Sequence, residues 1–406
     1  MLNTLLDPIR SLRSYIELPR AARAEHRLDR RGLPGTDPGI DAAISESLAW
    51  LGRAQDSSTS CDGGVARHYS LLTGWSASYP ETTGYIIPTL LRGSDVTGDT
   101  FLRERARRML DWLVSIQLPG GGFQGGLIDS EPVVPVTFNT GQILLGLAAG
   151  VKAFGDKYRD PLRRAADWLV QTQDKDGCWR SQPTPFAAPG EKAYETHVAW
   201  GLLEAERVEP GRGYGEAAMA NVRWSLTKQA ENGWFDCCCL RYPSAPLTHT
   251  LGYVLRGLTE AYHFSDDENL LKACRKTADG LLSAIRPQDG FLPGRLDANW
   301  RGAVSWVCLT GSVQIAYCWL DLYRITKDKR YRDAGFAANS YVRRTVKVAG
   351  PLETRGAIKG SFPISSGYTG REYGGYGPYE YLNWVSKFFI DSNILERTIR
   401  EAEEKE

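Results

Sequence analysis

The sequence predicts an all-α protein built as a closed ring of six helical hairpins. Two observations predict it. A segment recurs six times along the 406 residues, and the connections between the predicted helices alternate between long and short. Three copies of the segment are clear. They read Leu110-Asp111-Trp112-Leu113 to Gln117 and Gly122-Phe123; Ala166-Asp167-Trp168-Leu169 to Gln173 and Gly177-Cys178-Trp179; and Arg223-Trp224-Ser225-Leu226 to Gln229 and Gly233-Trp234. Trp112, Trp168 and Trp224 are evenly spaced, and Trp50, Leu281 and Tyr341 continue the series more loosely. A period of about 56 residues that holds two helices is a helical-hairpin array, and six such units in one chain imply ring closure.

Residues 1–37 precede the ring. Leu2, Leu5, Leu6, Ile9, Leu12 and Ile16 alternate with Arg10, Arg13, Arg20, Arg23, Arg27, Arg30 and Arg31. This pattern predicts a basic amphipathic helix across residues 1–31, laid over the outside of the ring. Contact with a membrane surface or docking to a partner is the alternative. No continuous apolar run leads to a small-residue cleavage site, so a secretory signal is not expected. Residues 32–38 are a turn-rich hinge.

The ring spans residues 38–396. Apolar residues at helical spacing predict twelve helices. The first members of the pairs cover about 39–55, 102–117, 160–173, 216–229, 267–285 and 329–346. The second members cover about 82–93, 139–154, 195–208, 249–265, 310–326 and 380–396. First members carry charge on one face, as in Arg103, Glu104, Arg105, Arg107 and Arg108, and so form the outer layer. Second members are apolar nearly all round, as in residues 141–148, and form the inner layer. Residues 397–406 read as a charged, frayed tail.

Composition narrows the function classes. A net charge of +1 gives no footprint for nucleic acid. No apolar run reaches the length of a membrane span. The eight cysteines lack the spacing of a small disulfide framework. Cys274, Cys308 and Cys318 fall inside apolar helical patterns, so reduced thiols and a cytoplasmic location are expected. Cys237-Cys238-Cys239 with His249 is a poor zinc set, because three adjacent cysteines cannot reach one ion comfortably. Neither a metal nor another cofactor is expected. The sequence carries no signal for oligomeric state.

The long connections, 56–81, 118–138, 174–194, 230–248, 286–309 and 347–379, all emerge on one face, where the inner helices begin. Long ordered loops carry function, which places the site there. These loops hold Trp75, Tyr79, Phe123, Phe138, Trp179, Phe186, Tyr194, Trp234, Phe235, Tyr242, Phe291, Trp300, Trp306, Phe362, Tyr368, Tyr373, Tyr376 and Tyr379. Aromatic faces with polar neighbours suit sugar rings; packing within the loops is the alternative for any one of them. The inner-helix starts align Glu81, Asn139, Glu195, His197 and His249 at one depth. Their threonines read as helix caps. For Glu81 and Glu195, plain compensation of the helix dipole is the structural alternative. Asp236 and Asp297 follow aromatic loop sequence. Converging helix N-termini favour an anion, which Arg67, His68, Arg180, Lys192, Arg241, Arg295 and Arg301 could pair.

The segments Gln173 to Trp179 and Gln117 to Phe123 resemble the Q-x-x-x-G-x-W repeats of terpenoid cyclases, which are structural motifs. The chain has neither the Asp-x-Asp-Asp acid motif of those enzymes nor the zinc-ligand pattern of protein prenyltransferases. Over residues 38–396 the chain resembles the (α/α)6 toroid of six-hairpin glycosidases and related polysaccharide lyases and epimerases. The C-terminal third is similar to bacterial proteins associated with surface-polysaccharide biosynthesis. The similar residues are Gly294 to Asp297, Cys308 to Gly311 with Gln314 to Ala316, Lys359 to Ile364, Leu382 to Trp384 and Lys387 to Asp391.

The expected function is cleavage of a glycosidic bond in an acidic oligo- or polysaccharide by two carboxylates. Glu81 and Asp236 are the first pair, with Glu195 next. In a lyase or epimerase, His197 or His249 would be the base and Tyr85 or Tyr253 the acid. Asn139 would then neutralise the carboxylate, with Arg as the anchor. Trp75, Tyr85, Asn139, Trp179, Tyr194, Trp234, Arg241, Arg295, Asp297, Trp300 and Trp306 are the candidate substrate contacts. An isoprenoid cyclase-like protein would need a sealed apolar cavity. A non-catalytic glycan-binding protein would have an open cleft without acid–base groups.

Overall fold

The computed structural model describes residues 15–185, 187–366 and 375–405. Leu2, Leu5, Leu6, Ile9, Arg10, Leu12, Arg13, Phe186, Tyr368 and Tyr373 lie outside the described residues. The fold is an (α/α)6 toroid. A short helix, α1 (Arg20–Asp29), precedes it. The outer helices are α2 (Ile40–Asp56), α4 (Phe101–Ile116), α6 (Arg159–Thr172), α8 (Tyr214–Leu226), α10 (Glu268–Ala284) and α12 (Lys329–Arg343). The inner helices are α3 (Pro80–Thr97), α5 (Thr137–Phe154), α7 (Thr196–Val208), α9 (Thr248–Ser265), α11 (Leu309–Thr326) and α13 (Asn383–Glu403). Each inner helix packs on the next, and α13 packs on α3, which closes the inner layer, and on the outer helix α2.

The recurring segment is the staple of the outer layer. Its glutamine ends one outer helix and donates to the backbone of the next: Gln117 to the Pro161 carbonyl at 2.9 Å and Gln173 to that of Ala217 at 2.9 Å. Gln229 does the same to Ala273 at 2.9 Å. The segment's glycine lies flat against that next helix. Gly177 has φ +92° and a side chain there would enter the Ala220 backbone. Its carbonyl accepts from Asn221 at 2.9 Å. Gly356 (φ +75°) repeats the arrangement against Glu46 of α2, with Ser47 donating to its carbonyl at 2.9 Å. The last loop is thereby fastened to the first helix. The aspartate of the segment is also structural. Asp111, Asp167 and Asp279 accept from Tyr158, Tyr214 and Tyr331 at 2.8, 2.7 and 2.8 Å.

Inner helices meet backbone to backbone. A Cβ on Gly146 would strike the Gly84 carbonyl, and one on Gly201 the Gly141 carbonyl. Short links on one face, such as Asp266 and Asp267 between α9 and α10, leave all the long loops on the other. The loops carry strands absent from the expected all-helical chain. β1 (His68–Ser70), β2 (Gly74–Trp75) and β5 (Glu380–Leu382) pair antiparallel, with β1 central. β3 (Val307–Cys308) pairs with β4 (Ser361–Phe362).

Three local expectations change. The threonines at the inner-helix starts are not caps, because no side chain caps those helices. They sit within the first turn and hold the loops instead. Thr83 and Thr140 accept from the amides of Val65 and Phe123 at 3.0 and 2.9 Å. Helix α1 docks on the ring through Ala22 and its acids, and its one leucine, Leu28, faces out. Glu25 and Asp29 are buried against Lys359, while Leu28 and Ile16 are 45% and 60% exposed. The chain past residue 396 is helical to Glu403, which accepts from Tyr323 at 2.8 Å and Arg332 at 2.9 Å. Among the described residues, no helix is long and apolar enough to cross a membrane.

Replacing Gly146 by Ala tests the inner contact. Helix propensity alone would favour alanine by about 1 kcal/mol, but overpacking costs about 1–3 kcal/mol. Gly146→Ala should therefore lower the melting temperature, while Gly35→Ala, with nothing within 4 Å of the new Cβ, should not. An unchanged or raised melting temperature for Gly146→Ala would contradict the backbone contact.

Candidate active site

The second residues of the six inner helices share one register: Glu81, Phe138, His197, His249, Thr310 and Trp384. A cavity of about 300 Å³ opens at these helix starts. Four of these six, Glu81, Phe138, His249 and Trp384, line it. Tyr79, Tyr85, Tyr194, Tyr253 and Tyr376 add aromatic wall, and Arg67, Arg241 and Arg295 add positive charge. Tyr242, Thr184 and Leu240 reach it from the loops.

Glu81 is 8% exposed and accepts from the Tyr79 hydroxyl at 2.8 Å. Burial pushes its carboxyl up to about 7, against the opposing pull of Tyr79 and Arg67. It is the one carboxyl among the described residues of the cavity wall. His249 is also buried, and desolvation holds its imidazole down at about 4. At neutral pH it is an uncharged acid–base group, with Nδ1 2.8 Å from Gln314 Oε1. Tyr253 packs against it, ring centroids 4.4 Å apart.

Arg67 bridges His68 at 2.7 Å and Glu380 at 3.2 Å, with its guanidinium 5.0 Å from the Trp384 ring. Arg295 donates to the Ala245 carbonyl at 2.7 Å and lies 4.9 Å from the Tyr242 ring. Trp384 in turn donates to the Tyr376 hydroxyl at 2.8 Å. The charged groups are thus held in place before any ligand arrives.

Of the sequence-derived candidates, the cavity gathers Glu81, His249, Tyr85, Tyr253, Tyr194, Arg67, Arg241 and Arg295. The others lie elsewhere. His197 is fully buried beneath the floor, among Phe138, Trp200, Tyr253 and Phe388. Asp236 is exposed on its loop, away from the cavity. Glu195 is buried outside the lining, and one of its oxygens has no partner. Asn139 donates to the Gln124 carbonyl at 3.3 Å, behind the wall. Asp297 closes a turn, accepting from the amides of Asn299 and Arg301 at 2.9 Å each.

The candidate tryptophans pack the loops. Trp75 lies against Trp50 and Tyr69. Trp179 donates to the Leu169 carbonyl at 2.9 Å, and Trp234 packs edge-on against Trp300. Trp306 is buried with Leu247, Val304 and Cys308. Arg180 pairs with Asp174, Asp176 and Glu191 at the surface. Cys238 is buried and donates to the Thr250 carbonyl at 3.3 Å. Among the described residues, no three His, Cys, Asp or Glu converge as a metal set. Trp384 and Tyr79 were not among the candidate contacts. The signal for Trp384 was its register, since it holds the same helix position as Glu81 and His249.

No family model and no curated protein matches the sequence. Solved structures do match. An unsaturated glucuronyl hydrolase specific for heparin superposes with a TM-score of 0.71 at 17% identity, over 90% of this chain and 99% of that one. The cellobiose 2-epimerase of Bacillus thermoamylovorans gives 0.67 at 10% identity, over 88% and 97%. A GH76 α-mannanase of Bacteroides thetaiotaomicron gives 0.60 at 11%, over 90% and 97%. The chain shares their six-hairpin toroid. At these identities the likeness establishes the fold alone.

Glu195 supplies a test of the buried electrostatics. Burial raises its carboxyl from 4.5 to about 8. A raised carboxyl contributes its stability in full below its unfolded value and loses it as pH rises through the folded one. The melting temperature of Glu195→Gln relative to the parent should therefore climb between pH 4.5 and about 8. A flat difference over that window would show that Glu195 is ionised in the fold.

Proposed function

We propose that the protein is a carbohydrate-active enzyme that cleaves a glycosidic bond at an acidic sugar, with Glu81 as the proton donor to the leaving oxygen. The observation that carries this is a single carboxyl held up at about 7 in the wall of a cavity with three arginines. A general acid works best with its pKa near the operating pH. The arginines suit a carboxylate on the sugar, and the tyrosines and Trp384 suit its apolar face. The two-carboxylate scheme lacks its second member here, because Asp236 and Glu195 are outside the cavity. His249, neutral at physiological pH, takes that place as the base towards water.

The toroid's neighbours include enzymes described as unsaturated glucuronyl hydrolases, which supports a substrate of this class. The resemblance of the C-terminal third to surface-polysaccharide proteins supports a polymer-derived one. A lyase is the second reading. The lone carboxyl favours it, because elimination needs one base, one acid and a neutralised uronate. An isoprenoid ligand is disfavoured, because the cavity wall carries three arginines, a glutamate and a histidine.

Oligosaccharides from uronate-containing polysaccharides, assayed for new reducing ends and for ultraviolet absorbance, separate these readings. Glu81→Gln and His249→Ala should each lower kcat/KM by roughly 10²–10⁴-fold, and Asp236→Asn should not. The activity needs protonated Glu81, so it should fall as pH rises through about 7. An ultraviolet-absorbing product would favour the lyase. Full activity in Glu81→Gln would overturn the assignment, and tight binding without turnover would favour a glycan-binding protein.

A further inference from the structure

Two histidines occupy the same place on neighbouring inner helices, and each is met by a glutamine at one equivalent place. His197 and His249 are the second residues of α7 and α9, and Gln142 and Gln314 are the sixth residues of α5 and α11. Gln142 Oε1 lies 2.6 Å from His197 Nδ1, and Gln314 Oε1 lies 2.8 Å from His249 Nδ1. Tyr253 stands between the two imidazoles, 4.4 Å from each by ring centroids. The pairs differ in one respect: His249 borders the cavity and His197 is sealed beneath it.

An amide oxygen only accepts, so the imidazole facing it must carry its proton on Nδ1. We propose that Gln314 is a positioning residue for His249: its carbonyl takes the Nδ1 proton and leaves Nε2 bare as the base towards the cavity. Its role in turnover rests on the function proposed above; its effect on the tautomer does not. The Gln314 Nε2 is buried without a hydrogen-bond partner, so the contact with His249 is the one that orients the amide. Gly252, one turn along α9 from His249, lies against Gln314, where a Cβ would come within 2.9 Å of the Gln314 Cβ and 3.1 Å of Oε1. On its other side Gln314 borders a void of about 10 Å³ shared with Arg256, Tyr317, Phe388 and Asp391. The ring therefore sets an amide oxygen behind the one histidine that reaches the cavity. The second pair, shut away from substrate, is an internal control.

Histidine-selective ¹⁵N labelling of the whole protein reads the tautomers directly, with His249→Ala identifying the signal. The parent should show His249 as one tautomer, protonated on Nδ1. Gln314→Leu and Gly252→Ala should each give a mixture at His249 and leave the His197 signal unchanged. Gln314→Glu keeps the acceptor and should keep the tautomer. On any glycan that is turned over, Gln314→Leu should lower kcat at least about tenfold with little change in KM, and Gln314→Glu should restore most of it. It should also move the acidic limb of the pH profile upwards, because a carboxylate favours the charged imidazole. A parent His249 protonated on Nε2, or a tautomer unmoved by both Gln314→Leu and Gly252→Ala, would overturn the proposal. The predicted tautomers with no glycan turnover would uphold it and count against the proposed function instead.

Discussion

The structure depends on a glycine in five of the six recurring segments (Gly121, Gly177, Gly233, Gly290 and Gly356) lying flush against the backbone of the next outer helix. No side chain fits between Gly177 and Ala220, or between Gly356 and Glu46. The contact sets the distance between neighbouring outer helices, and the preceding glutamine fixes its register with a hydrogen bond to the same helix. A side chain there would force adjacent units apart and open the ring. The inner layer follows the same rule, with Gly146 against Gly84 and Gly201 against Gly141. Close approach of the inner helices brings six helix starts to one narrow mouth.

That narrowness explains the chemistry of the cavity. Glu81 and His249 lie where little water reaches, so each leans towards its uncharged form. The positive charge sits around them in arginines that are already hydrogen-bonded, as Arg67 is to His68 and Glu380. Beneath the floor the same burial acts on groups that no ligand could touch. His197 is held neutral, and burial pulls the Lys387 ammonium below its usual range against the opposing pull of Asp391 at 2.8 Å, with Phe388 beneath it. Burial alone therefore does not mark a functional residue here; access to the cavity does.

Much of the fold was legible because it repeats. The spacing of Trp112, Trp168 and Trp224 gave the unit, and the uneven loops gave the face that carries the site. Less of the site was legible. Glu81 and His249 could be read from their register at the inner-helix starts. Trp384 holds that register too, but the sequence pattern starts the last inner helix at about residue 380, whereas it begins at Asn383. Asp236 was misread because it follows Trp234 and Phe235. Those two rings turn inwards and are buried, and the aspartate after them turns to solvent. His197 and His249 could not be told apart in sequence, since their helix positions are the same.

The sequence by itself determined the periodic features: the helix count, the two layers, the closure and the loop face. These follow from side-chain patterns within one unit and its neighbour, which are local in the chain. Only the tertiary structure decided which residues share the cavity. Glu81, His249 and Trp384 come from three different helices, and their meeting depends on the tilt and depth of each one. The same holds for the polarity of the groups. Whether a glutamate is ionised depends on the water around it, and closing the ring is what removes that water.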